Sequence, residues 1–144
     1  MNILFLCKAN LFRSRMSHVF FERYNTNESH NVDSAALVYD FKTPHRLVVK
    51  VMKEIDLDIS NKIPKKVNQE LIDWADLIVL MFPDLEEPLN NFEIDNKEIE
   101  IWDVEDITVD HNEDAHLTKF IQSRIIIEKK VKEFVENLNK KNEY

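Results

Sequence analysis

Asn2-Ile3-Leu4-Phe5-Leu6-Cys7-Lys8-Ala9-Asn10-Leu11-Phe12-Arg13-Ser14 begins as an unbroken apolar run and ends on a cation and a hydroxyl. A short, continuous apolar run is the pattern of a parallel strand buried on both faces, so residues 2–7 read as β. From Ser14 onward the pattern becomes amphipathic and helix-forming. Cys7, the only cysteine of the 144 residues, therefore stands at the carboxyl end of a strand, on a tight loop ahead of a helix N-terminus. Such a loop turns successive backbone N–H groups inward at the positive end of the helix dipole, where an anion binds. The same field favours a thiolate over a thiol, which makes Cys7 a candidate nucleophile. Arg13 adds a planar fork suited to phosphate oxygens. Ser14 offers a hydroxyl that either bonds the sulfur or caps the helix. A lone cysteine is most often a small buried hydrophobe. The Cys, Arg and Ser at this spacing, between a strand and a helix, arise together by chance on the order of once in 1,000.

Outward from that stretch the chain alternates. Strands are predicted at 2–7, 31–36, 76–81 and 99–104, and helices near 14–25, 44–55, 66–74, 84–92 and 114–139. Pro44 suits the first turn of the second helix, and Asp84 with Glu87 has the spacing of a capping box. In the last helix Leu117, Phe120, Ile121, Ile125, Glu128, Val131, Phe134, Val135 and Leu138 follow helical spacing with one polar break, a stripe that packs on a sheet. Strands alternating with helices imply right-handed crossovers and a parallel sheet covered on both faces. The expected architecture is α/β, a three-layer sandwich with a four-stranded parallel sheet, in one domain over residues 1–144. In such sheets ligands bind beyond the carboxyl ends of the strands, near the switch in strand order. Cys7, Ser34, Met81 and residues 103–106 all fall at or after those ends.

Cys-x5-Arg-Ser after an N-terminal strand resembles the phosphate-binding loop of the low-molecular-weight protein tyrosine phosphatases and of the arsenate reductases built on that fold. Four further landmarks keep the family's order: Ser34-Ala35-Ala36, Glu54 through Ser60, Ala75 through Met81, and Trp102-Asp103-Val104-Glu105-Asp106. The resemblance spans residues 2–138. It implies the phosphotyrosine protein phosphatase I-like fold and hydrolysis of a phosphomonoester through a cysteinyl-phosphate. In that chemistry Cys7 is the nucleophile, and Arg13 with the N–H groups of Lys8, Ala9, Asn10, Leu11 and Phe12 holds the phosphate oxygens. Asp106, singled out from its acidic neighbours by its spacing from Trp102, is the acid that protonates the leaving oxygen. Ser14 supports the sulfur, and Tyr39, Phe41 and Phe12 supply part of a wall.

The chain departs from the family pattern in places. Ala9 stands where a glycine is usual, Ile107 where a proline follows the acid, and no aromatic residue follows Asp106 closely. Glycine is absent altogether, so the left-handed backbone that a phosphate cradle uses falls to asparagine, above all Asn10.

Composition narrows the function classes. Hydrophobic content of 44% and charged content of 32% are those of an ordinary globular domain. A net charge of −8 argues against nucleic acid and anionic membranes as partners. A local cationic rim of Lys8, Arg13, Arg15, Lys42, His45 and Arg46 would offset it toward a phosphorylated substrate. One cysteine fits a reducing compartment, and no leader or apolar span is read, so the expected location is cytoplasmic. His18, His30, His45, His111 and His116 show no ligand spacing, and no metal or other cofactor is expected. The expected partner is a phosphorylated protein or small aryl phosphate, handled by a monomer or weak dimer. The alternatives are a non-catalytic phosphate-binding module and an arsenate reductase. The thioredoxin-coupled form of the latter needs cysteines beyond Cys7.

Overall fold

The computed structural model describes residues 1–108 and 112–141. Asp110 and His111, members of the acidic run and of the histidine set, lie outside the described residues. Four strands, β1 (Asn2–Cys7), β2 (Asn31–Ala36), β3 (Leu77–Leu80) and β4 (Glu98–Ile101), form one sheet in the order β2-β1-β3-β4. All pairings are parallel, with Cys7 opposite Ala36 and Leu6 opposite Leu80. Residues 3–6 of β1 are wholly buried on alternating faces, as a strand between two helical layers must be.

The helices are α1 (Arg13–Tyr24), α2 (Arg46–Lys53), α3 (Gln69–Trp74), α4 (Glu86–Leu89) and α5 (Glu113–Lys141). Helices α1 and α5 pack side by side, and α2 packs against α5. An aromatic cluster ties them to the sheet: Phe5 of β1 meets Phe21, Trp102 and Phe134 at ring-centroid distances of 6.3, 5.6 and 6.0 Å.

The predicted alternation and three-layer α/β sandwich are the observed ones, with local corrections. Helix α2 starts at Arg46, not at 44. His45 takes the cap, its Nδ1 accepting from the Leu47 N–H at 3.2 Å, which leaves Pro44 outside the first turn. Helix α3 starts three residues late because Val67 donates to the Ala36 carbonyl at 2.8 Å, an extended pairing that residue 66 joins. Asn68 then caps it through the Leu71 N–H. The expected helix at 84–92 shrinks to a 3₁₀ turn, Pro83–Leu85, followed by α4. No capping box forms, and Asp84 pairs instead with Lys8. Ser14 does not cap α1 either, for it lies within the helix and its hydroxyl is on the sulfur of Cys7.

In α5 the buried stripe runs through Phe120, Ile127, Val131, Phe134, Val135 and Leu138. Ile125 is 59% exposed. Five residues beyond Phe120 it is rotated about 140° from the packed face, whereas Ile127 at seven residues returns to it.

Candidate active site

Sheet order places the β1–α1 loop at the switch point, since the chain leaves β1 for β2 on one side and later returns as β3 on the other. Backbone bonds bring the other segments to this loop. The Lys8 carbonyl accepts from the N–H groups of Val38 and Tyr39 at 3.0 and 2.9 Å, which sets Tyr39 beside it. Beyond β4 the chain stays along the sheet, Trp102 donating to Leu80 at 2.7 Å and Val104 to Met81 at 2.9 Å. That continuation accounts for the strand predicted to 104, and it delivers Asp106 to the loop's mouth.

The result is a cavity of about 320 Å³ lined by Cys7, Lys8, Ala9, Leu11, Phe12, Arg13, Tyr39, Phe41, His45, Asp106, Ile107 and Phe120. Cys7, Arg13 and Asp106 thus meet in one pocket although 99 residues separate the first from the last. Six of the eight predicted substrate-binding residues line it. The other two, Asn10 and Ser14, lie behind the loop, 1% and 0% exposed.

Cys7 is 3% exposed, and its sulfur is held from behind. The Asn10 N–H donates to it at 3.3 Å, and Ser14 Oγ lies 2.9 Å away. Asn10 adopts φ 57°, the left-handed region that glycine would otherwise supply. Its side chain makes that conformation useful. Oδ1 accepts from the Lys65 N–H at 3.2 Å, and Nδ2 donates to Ser14 Oγ at 2.9 Å and to Ser34 Oγ at 3.0 Å. Arg13 is 2% exposed. Its Nη1 donates to the Val104 carbonyl at 3.1 Å, and its Nη2 faces Asp106 Oδ2 at 3.5 Å. Asp106 is further fixed by the Ile107 N–H, which donates to Oδ1 at 2.9 Å.

The expected cationic rim is largely neutralised. Lys8 pairs with Asp84, Arg13 with Asp106, Lys42 with Asp40, and Arg46 with Glu113. Burial, then Arg46 and His116, holds the His45 imidazole below its ordinary value. Arg15 lies not on the rim but beneath the loop, 5% exposed.

Phe120 lines the pocket without having been read as a site residue from sequence, and His45 and Ile107, read as a rim cation and as a departure after the acid, line it as well. Phe120 belongs to the core stripe of α5, and its ring meets Phe12 edge-on at 5.0 Å and His45 at 5.5 Å. No local motif distinguishes a stripe residue that ends at a pocket from one that ends in core. Among the described residues no group of three or more His, Cys, Asp or Glu is gathered as a metal site. No helix among them is long and apolar enough to cross a membrane.

The fold is shared with known proteins. Over the whole fold the chain is similar to a low molecular weight phosphotyrosine phosphatase from Vibrio cholerae O395, with a TM-score of 0.83 and 17% identity across 98% of both chains. It is also similar to Wzb of Vibrio vulnificus in complex with benzylphosphonate, with a TM-score of 0.81 and 18% identity across 94% of this chain and 97% of that one. In sequence it matches arsenate reductase 1 of Bacillus cereus (strain ATCC 10987 / NRS 248), 33% identical over 79 residues, or 55% of this chain. Those residues span 57% of the relative, so the chain spans little more than half the length of the curated protein it matches. Residues 2–144 match the family model described as low molecular weight phosphotyrosine protein phosphatase. With the loop, the sheet order and that match in agreement over nearly every residue, the chain belongs to the low molecular weight phosphotyrosine protein phosphatase family.

Proposed function

We propose that the chain is a cysteine-dependent phosphomonoester hydrolase acting on phosphotyrosine or another aryl phosphate. One observation carries the reading. A cysteine sulfur that accepts a backbone N–H bond stands in a pocket that a buried guanidinium also lines. In the first step the Cys7 sulfur attacks phosphorus and the bond to the leaving oxygen breaks, with Asp106 giving that oxygen its proton. The equatorial oxygens lie against Arg13 and the N–H groups of residues 8–13, a preorganised positive field that requires no reorganisation as charge develops. In the second step Asp106 takes a proton from water, whose oxygen attacks phosphorus and frees the Cys7 sulfur with inorganic phosphate.

Apolar walls from Leu11, Phe12, Tyr39, Phe41, Ile107 and Phe120 suit an aryl leaving group. Tyr39 and Phe41 stand together, ring centroids 5.8 Å apart, at the exposed side of the mouth. The bound benzylphosphonate of the Vibrio vulnificus structure is a ligand of the same shape. A lone thiol of this kind works in a reducing compartment, and we assign the protein to the cytoplasm. Arsenate reduction through a cysteine relay is disfavoured, since Cys7 is the single thiol of these residues.

The test is turnover of p-nitrophenyl phosphate by the pure protein and by Cys7→Ser. Hydrolysis that Cys7→Ser abolishes supports the reading. Phosphate binding without turnover would leave only a phosphate-binding module.

A further inference from the structure

Arg15 is the buried charge that the hydrolytic scheme does not use. It is 5% exposed, and its Nε has no hydrogen-bond acceptor among the described residues. The terminal nitrogens are engaged. Nη2 donates to Asn10 Oδ1 and to the Ile63 carbonyl, both at 3.3 Å, and Nη1 donates to His18 Nδ1 at 3.3 Å. A guanidinium has only donors, so these contacts fix Asn10 Oδ1 and His18 Nδ1 as acceptors.

Asn10 Oδ1 must be the acceptor, because both the guanidinium and the Lys65 N–H aim at it. Its NH₂ group is thereby turned to Ser14 and Ser34. Ser14 Oγ accepts from that donor and lies 2.9 Å from the sulfur of Cys7, toward which its hydroxyl hydrogen is free to turn. On the other branch His18 Nδ1 must accept from Arg15, so Ser34, 2.8 Å away, donates to it. The second ring nitrogen, Nε2, then carries the hydrogen that faces Glu22 Oε1 at 3.1 Å. That bond, first among its causes, holds the Glu22 carboxyl below the ordinary range. The two branches part at Asn10, and Arg15 Nη1 and the Ser34 hydroxyl share His18 Nδ1.

We infer that Arg15 is a positioning residue for the nucleophile, its guanidinium orienting the Asn10 carboxamide so that the Ser14 hydroxyl donates to Cys7. A loop with glycine takes the left-handed turn through its backbone alone, whereas here the turn rests on an asparagine whose side chain must be held. Burying an arginine is costly unless its donors are used, and here three groups, Asn10 Oδ1, the Ile63 carbonyl and His18 Nδ1, accept from its terminal nitrogens. The inference concerns the same pocket as the proposed hydrolysis, but its test does not require turnover.

The experiment is a double-mutant cycle read by alkylation of Cys7 with iodoacetamide at neutral pH. The proteins are wild type, Arg15→Met, Ser14→Ala and the double variant. Arg15→Met keeps an apolar stem and removes the donors. We expect each single change to slow alkylation about tenfold, and the double variant to fall within about twofold of either single, as residues acting in one chain do. Where Arg15→Met does not melt cooperatively, Arg15→Lys takes its place in the cycle. Lysine retains one donor toward Asn10, so the expected loss is about threefold, again without multiplying with Ser14→Ala. Alkylation by the Arg15 variant within about 1.5-fold of wild type overturns the inference, as do losses that multiply in the double variant. Because alkylation needs only the sulfur and its surroundings, a protein that alkylates as expected but turns over no aryl phosphate contradicts the hydrolytic reading alone.

Discussion

Arg13 and Asp106 face one another across the pocket mouth, Nη2 to Oδ2 at 3.5 Å, the guanidinium 2% and the carboxylate 51% exposed. One is locked to the sheet by the Val104 carbonyl. The other sits on an exposed segment and is held by the Ile107 N–H and by Arg13. The fixed partner suits a clamp on phosphate oxygens, and the exposed partner suits a group that exchanges protons with a leaving oxygen and with water.

From that relationship, Asp106→Asn should slow aryl phosphates with poor leaving groups far more than activated ones, by about tenfold or more in relative kcat, because only the former need a proton as the bond breaks. Plotting log kcat against leaving-group acidity for both proteins checks it. A slope left unchanged by Asp106→Asn, but steepened by Asp103→Asn, would move the acid's role to Asp103.

Asn10 combines a left-handed backbone with four side-chain contacts. Asn10→Ala should therefore lose about 1–2 kcal/mol from the backbone conformation alone, beyond its lost hydrogen bonds. Asn10→Gly restores the backbone freedom but not the carboxamide, so it should melt above Asn10→Ala while staying at least about tenfold below wild type in kcat. Thermal melts beside steady-state kinetics separate the two effects. Full activity in Asn10→Gly would show that the turn alone matters.

Two isoleucines of α5 offer a test of packing. Ile127 is fully buried and Ile125 is 59% exposed. Ile127→Ala should cost about 2–5 kcal/mol through lost burial and the cavity it leaves. Ile125→Ala should change stability by no more than about 0.5 kcal/mol. Denaturant unfolding of the two variants decides it, and equal losses would mean that α5 is rotated from the face described.

His45 gives stability a pH dependence whose sign follows from its surroundings. Burial, then Arg46 and His116, lowers its folded-state value, so on acidification the unfolded chain takes up the proton first. Stability is then full above the unfolded value of about 6.5 and falls as pH drops below it. His45→Asn retains an acceptor for the Leu47 N–H and removes the titration. Its melting temperature should fall less between pH 7.5 and 5.5 than that of wild type, and parallel curves would exclude His45 as a source of the dependence.

The parts of the molecule legible in sequence are those encoded locally. The apolar run at 2–7, the switch to helical spacing after Ser14, and the loop between them are each contiguous, and the fold built on them is the predicted one. Asn10 was legible for the same reason, since a chain without glycine must find another residue for a left-handed turn. What sequence did not show depends on distant packing. Ile125 and Ile127 differ by two positions in an unbroken apolar stretch, and only the neighbouring helices decide which one is buried. Phe120 reads as one more stripe residue until α5 is set beside the loop. Arg15 reads as a rim cation, yet Asn10, His18 and Ile63 hold it underneath. The rim acids Asp84, Asp40 and Glu113 are far from their partners in sequence or unremarkable beside them, so the cancellation of charge became visible only in three dimensions.

The most direct measurement of the central claim is acid-quenched mass spectrometry of the protein during turnover of p-nitrophenyl phosphate. Asp106→Asn should be included, because that variant slows the water step that discharges the intermediate. The account predicts one phosphoryl group on the peptide containing Cys7, accumulating in Asp106→Asn and absent from Cys7→Ser. Turnover that proceeds with no phosphorylated Cys7 peptide, or that survives Cys7→Ser, would contradict it.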